Sequence, residues 1–262
     1  MSATVTRRDG PSGRFYEVDG ELYPSVTHIL TAINKPALVP WAAKMEREAC
    51  TAAAAALYDD LNASGQKFPA SWYLTELHAR LGKEKAHQKA LAKAGDVGTQ
   101  AHKLIEWTMR TALGAEAGPK PVVSDAALWA FMAFEDWAKS VALKPVLVER
   151  TVYSKVHGYA GTMDVLARIH GVLRTVDFKT GKAIYPEAHL QSAAYRVAMV
   201  EMGYAPMAGL IVRLPKVATD PAFEVVPALP AAEALPVFLA SKALWTWQYA
   251  HEAKWRQRAR VA

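Results

Sequence analysis

The chain has 262 residues, 52% of them hydrophobic and 21% charged, a balance that can bury a real core and excludes disorder along its whole length. A single cysteine, Cys50, excludes an intramolecular disulfide framework, an all-cysteine zinc site and a four-cysteine iron–sulfur site. The formal charge of +6 permits a polyanionic partner without requiring one.

The length fits one domain, 1–262, with elaborations. Residues 1–10 are polar, with Arg7 and Arg8 and no apolar stretch behind them, so no signal peptide is expected. No run of about 18 apolar residues is present to span a membrane, and the expected location is the cytoplasm. Strands over 15–18 and 21–23 flank Asp19-Gly20, a hairpin turn signal. Ser25 and Thr27 precede an apolar run over 28–33 that reads as a capped helix. A helix is expected over 41–58, a loop over 62–71, and a helical segment over 71–93 that turns basic with Arg80, Lys83, Lys85, Lys89 and Lys93. Gly95-Asp96-Val97-Gly98 reads as a break, with Thr99 capping a helix over 100–113. A Gly/Pro loop over 114–123 and a helix over 124–140, capped by Ser124, complete the helical half.

Strands over 146–153, 159–169 and 172–178 follow, rich in β-branched and aromatic residues. A helix over 186–202, strands over 210–214 and 223–226 and a helix over 231–258 close the chain, with Pro236 in the first turn or two of that last helix. The order describes a mixed α/β domain with helical additions. It divides into an N-terminal hairpin and helical elaboration (1–95), a core (96–215), and a C-terminal strand and helix (216–262).

The chemistry-bearing stretch is Gly161-Thr162-Met163-Asp164 and Val176-Asp177-Phe178-Lys179. His170-Gly171 between them is a candidate two-residue turn. Counted outward from that turn, Asp164 falls opposite Asp177, with Cβ atoms ~5 Å apart. Two carboxylates so close repel by roughly 3 kcal/mol at an effective dielectric of about 20, and a divalent cation between them reverses the sign. Hard oxygen ligands suit Mg²⁺ or Mn²⁺, as one or two ions. Lys179 shares a strand face with Asp177. Val176 and Phe178 leave the other face, which they share with Val165, Ala167 and Ile169, and that face packs on the core. An ammonium beside a metal holds a water or stabilises charge on a phosphate.

The set GTMD … VDFKTGK … QSAAYR resembles the PD-(D/E)XK nuclease superfamily in its RecB-like, phage-type exonuclease branch. The resemblance implies a restriction-endonuclease-like mixed β-sheet core flanked by helices. It implies that Asp164 and Asp177 hold the metal with the backbone carbonyl of Phe178, and that Lys179 is the catalytic lysine. Gln191 and Tyr195 match a Gln-x-x-x-Tyr motif that lines the site in relatives. Gly98-Thr99-Gln100-Ala101-His102 matches a Gly-Thr-x-x-His helix start, which gives His102 a metal-ligand role. Glu106, one turn on, is a candidate to orient His102, and Glu149 a candidate further ligand or supporting group. Tyr23-Pro24-Ser25-Val26-Thr27 and the region 38–41 also look like the N-terminal region of phage members. The first acid follows Met163 rather than proline and the second is Asp rather than Glu, variants found in that branch.

The function so implied is a divalent-metal-dependent DNA nuclease, an exonuclease of phage or bacterial recombination, repair or replication. Its partners would be single- or double-stranded DNA and a recombination or single-strand-annealing protein, with no membrane. The alternative is a non-catalytic nucleic-acid-binding module on the same fold. Trp247, Tyr249 and Trp255 are candidates for base stacking or for helix packing. The stretch 80–93 and the tail with Lys254, Arg256, Arg258 and Arg260 are candidate phosphate tracks. No Walker A, His-Glu-x-x-His, Gly-x-Ser-x-Gly or Gly-x-Gly-x-x-Gly pattern is present.

Overall fold

Asp19 (φ 50°) with Gly20 (φ 88°), and His170 (φ 48°) with Gly171 (φ 82°), take the left-handed conformation at both centres that a two-residue hairpin turn demands. The first pair joins β2 (Gly13–Val18) to β3 (Glu21–Pro24), and the second joins β5 (Tyr159–Ile169) to β6 (Val172–Thr180). The structure, a computed structural model, describes residues 4–10, 13–217, 219–220 and 222–259. The side chains of 252–259 lie outside that description, so the basic tail and Trp255 lie outside the described residues.

The chain forms two compact units, Asn34–Asp96 and the remainder. The unit Asn34–Asp96 holds α2 (Leu38–Ser64), α3 (Ala70–Leu81) and the start of α4 (Ala86–Ala112). Gly65 (φ 64°, ψ 8°) ends α2 in the left-handed conformation that a helix C-terminus favours, and Gly82 (φ 69°, ψ −173°) ends α3 in an extended positive-φ conformation that glycine alone adopts readily. Arg80 joins α3 to Asp60 of α2 at 2.7 Å. The Glu46 carboxylate accepts the His87 backbone N–H at 3.2 Å and faces the His87 ring Nδ1 at 2.6 Å.

The other unit carries two sheets. The smaller is antiparallel and adds β1 (Val5–Gly10), in the order β1-β2-β3. No strand signal marks that segment, because five of the six β1 residues are exposed and no apolar alternation runs through it. After β3 comes α1 (Val26–Ile29), whose His28 N–H bonds the Ser25 hydroxyl at 3.1 Å, and then a single 3-10 turn, Leu30–Ala32. The expected 28–33 helix is therefore shorter and starts earlier.

The larger sheet has the order β4 (Lys144–Ser154), β5, β6, β7 (Ala208–Leu214), β8 (Glu224–Pro227). Among the described strands of this sheet, β6 and β7 pair in parallel and the other neighbours antiparallel. Their crossover is α6 (Pro186–Glu201), as parallel neighbours require. Leu104, Ile105 and Met109 of α4 and Phe134 and Trp137 of α5 (Asp125–Ser140) pack with Val165, Ala167, Val176, Phe178 and Val212. Ala194 and Met199 of α6 and Phe238 of α7 (Ala231–Ala259) pack with Val152, Met163 and Leu166. The fold is the expected mixed sheet between helices, with Val165, Ala167, Ile169, Val176 and Phe178 on the expected core face.

One reading is corrected. Gly95-Asp96-Val97-Gly98 does not break the chain, and Thr99 is not a cap: α4 runs unbroken through all five residues. The interruption falls earlier, at Gly82. Gly98 serves packing instead, since a Cβ there would lie 2.7 Å from the Thr180 hydroxyl oxygen. No helix among the described residues is long and apolar enough to cross a membrane.

Candidate active site

The β5–β6 ladder runs from Ile169↔Val172 to Val165↔Val176 and stops. Beyond that point β5 stays with β4 while β6 stays with β7, so the two strands part. The next residues are Asp164 and Asp177. The expected register thus holds up to the residues it was meant to pair, and there the ladder opens. Asp164 fills the gap: its Oδ2 accepts the Phe178 N–H at 2.8 Å. A backbone donor that has lost its strand partner is satisfied by the carboxylate, which fixes Asp164 at the fork.

Val176 and Phe178 enter the core, so Asp177 and Lys179 leave the opposite face of β6. The Lys179 ammonium lies 2.7 Å from Asp177 Oδ2 and donates to Oδ1 at 3.0 Å. It also donates to Gln191 Oε1 at 2.9 Å, and Gln191 Nε2 donates to the Tyr195 hydroxyl at 3.3 Å. Gln191 and Tyr195 lie four apart on α6 and so share one helix face. Gly161 makes room for that face, since a Cβ there would lie 2.5 Å from the Tyr195 ring.

Burial pushes the Asp177 carboxyl up, with the Asp164 charge adding to the rise and Lys179 opposing it. Burial lowers Lys179, but the charges of Asp177 and Asp164 outweigh it, and the ammonium ends above its ordinary value. Lys179 is therefore held as a cation. Burial, then the same two acids, raise the Tyr195 hydroxyl well above its usual range, so it stays protonated.

His102 reaches the fork from α4, its Nδ1 3.8 Å from Asp164 Oδ2 and its ring edge-on to Phe178. Glu106, one turn on, is bound by Arg110 at 2.7 Å. Glu149 arrives from β4. Its neighbours pair as Val148↔Val165 and Arg150↔Met163, which sets Glu149 opposite Asp164. Its φ of 48° is rare for a residue with a side chain and costs about 1–2 kcal/mol. Burial, then the charges of Asp164 and Glu106, push its carboxyl up to about 8, against the pull of Arg110 and Arg7.

One ligand atom from each of His102, Glu149 and Asp164 lies within 4.8 Å of the others. An imidazole nitrogen with two carboxylate oxygens is a donor set that fits a divalent cation. Asp177 stands beside this group, and its Oδ2 is buried without an aligned hydrogen-bond donor. Phe178 contributes its N–H and its ring. In the sequence Glu149 is a candidate further ligand or supporting group, and the turn that follows its strand carries a signal for it. The β4–β5 turn closes at Gly158 (φ 62°), and counting back from it brings Glu149 level with Asp164.

Tyr249 stacks on Trp245 at 4.9 Å and tilts against Phe15, a packing arrangement, while Trp247 is half exposed beside His251. In the basic stretch, Arg80 is occupied by Asp60 and Glu76.

Residues 66–259 match the family model of the PD-(D/E)XK nuclease superfamily. Among solved structures the chain is similar to a protein of Eubacterium rectale provisionally named an exonuclease, at 14% identity and a TM-score of 0.43, over 71% of this chain and 76% of that one. It is also similar to SSO0001, at 14% identity and a TM-score of 0.27, over 56% and 72% of the two chains. No curated protein matches.

Proposed function

The chain belongs to the PD-(D/E)XK nuclease superfamily, whose members are nucleases that use divalent metals, and from that premise we propose that it hydrolyses DNA phosphodiester bonds at the fork between β5 and β6. The observation that carries the reading is the meeting of His102, Glu149 and Asp164 within 4.8 Å, beside the Asp177–Lys179 pair.

His102, Glu149, Asp164 and Asp177, with the Phe178 carbonyl, would hold Mg²⁺ or Mn²⁺. The bound cation would supply Lewis-acid stabilisation of phosphate charge and a lowered pKa for water. Lys179 stays protonated next to the acids and so offers an ammonium to charge that grows on the phosphate oxygens. Gln191 fixes that ammonium through its Oε1, and Tyr195 supports Gln191 in turn. The acids, the lysine and the α6 pair therefore divide the work. The acids localise cationic charge, the lysine meets developing anionic charge, and the glutamine aims the lysine.

The finer reading is an exonuclease in phage or bacterial recombination, repair or replication. The motif resemblance at Gly98–His102 and Gln191–Tyr195 supports it. Linear and circular DNA, each single- and double-stranded, incubated with Mg²⁺ or Mn²⁺, separate the habits. Linear DNA is expected to be degraded while circular DNA persists, and chelation is expected to stop all cleavage. Asp177→Asn should retain the fold and lose about 10²–10³-fold in rate, the order seen when one preorganised electrostatic group is removed. Full cleavage by that variant would sink the site assignment. Metal-independent DNA binding by wild type, with no product, would favour a binding module.

A further inference from the structure

Two strands of the small sheet carry a sequence signal and β1 carries none, yet one face of this sheet reaches β5 two residues from Asp164. Arg7 pairs across the strands with Tyr16, and Asp9 with Arg14. Cross-strand partners and residues two apart share a face, so Arg7, Asp9, Arg14 and Tyr16 stand together. Tyr16 identifies where that face points. It is buried with Ala160 of β5, and its hydroxyl lies 2.8 Å from the Thr162 hydroxyl. Thr162 lies two residues before Asp164 on β5.

Arg7 and Arg14 are the charged end of this face. Arg7 Nε donates to Asp9 Oδ2 at 2.6 Å, and Arg14 Nε donates to Asp9 Oδ1 at 2.9 Å. One carboxylate thus holds both guanidiniums by their Nε atoms, and neither guanidinium has another ion pair among the described residues. Two planar cations against one anion leave net positive charge, in the fork geometry that matches phosphate oxygens bidentately. Arg7 is among the cations whose charge acts on Glu149, and Tyr195 is near enough to Arg14 for the two to interact. Arg8 leaves the opposite face and pairs with Glu17, so it serves as an internal control.

We propose that Arg7 and Arg14, joined through Asp9, form a clamp that grips the DNA phosphate backbone beside the bond to be cut. The clamp rests on the nuclease reading for its substrate, but it is measurable without cleavage. The test uses the full chain and a fluorescein-labelled oligonucleotide, with anisotropy recorded in EDTA across a range of NaCl concentrations. Arg7→Gln/Arg14→Gln should bind about 10-fold or more weakly. The slope of log K against log [NaCl] should fall by about 1.4–1.8, the value for two lost phosphate contacts. Arg8→Gln should match wild type in both. The exposed Arg–Asp pairs add little to stability, so the double variant should melt with wild type.

Unchanged affinity and slope in the double variant would overturn the clamp, and so would an equal loss in Arg8→Gln. Failure of wild type to cleave any diester would instead sink the nuclease reading, while the EDTA arm would still decide the clamp.

Discussion

At the scale of single residues, Glu149 is the most informative group at the fork. It combines a left-handed backbone, a register position opposite Asp164 and a carboxyl pushed from 4.5 up to about 8. The sign of its effect follows from linkage. Between its ordinary value and about 8 the folded, metal-free protein holds a proton that the unfolded chain has lost. Stability therefore falls as pH rises through that window. Glu149→Gln removes the titration, so in EDTA its melting temperature should gain on wild type from about pH 5 to about pH 8. A gap that does not widen with pH would show that Glu149 ionises there without cost. Added Mn²⁺ should raise the wild-type melting temperature and raise the variant's less, because binding to the folded state alone stabilises it and the variant has lost a ligand.

At the scale of elements, α4 shows how one residue type carries two meanings. Gly95 and Gly98 stand three apart in a helix where the sequence shows only two breakers. Nothing lies within 4 Å of a Cβ built at Gly95, whereas one at Gly98 would meet the Thr180 oxygen at 2.7 Å. Gly95→Ala should therefore stabilise the protein by about 0.5–1 kcal/mol, the ordinary gain from replacing glycine in a helix. Gly98→Ala should destabilise it, because overpacking of about 1–3 kcal/mol exceeds that gain. Urea denaturation of the two variants reads both signs. Equal effects would mean that α4 does not approach Thr180 as described. The helix also positions His102 four residues after Gly98, so the close approach that excludes a methyl group there is part of what brings the imidazole to Asp164.

At the scale of the whole molecule, charge and sheet topology set the terms of binding. The net charge of +6 is spread over 31 basic and 25 acidic residues. DNA affinity should therefore depend on a local basic face and fall steeply with salt. For Asp177→Asn in EDTA, raising NaCl from 50 to 200 mM should weaken DNA binding by about tenfold or more. A flat response would show that phosphate contacts do not dominate. The parting of β5 from β6 provides the site itself. Any pair of strands that stays in register satisfies its own backbone groups, while this pair leaves an N–H to be taken by a carboxylate.

Much of this was legible in the residues alone. Strand and helix order in the core followed from periodicity, and the His170-Gly171 turn fixed the β5–β6 register, because turn chemistry and alternation are local. Val165, Ala167, Ile169, Val176 and Phe178 were assigned to the buried face for the same reason. Three features required the folded chain. The continuity of α4 through two glycines depends on packing that propensity does not record. The strand β1 has no apolar alternation and exists through its pairing with β2. The meeting of Glu149 and His102 with Asp164 joins α4, β4 and β5, and only tertiary packing brings charges from three separate elements into one field.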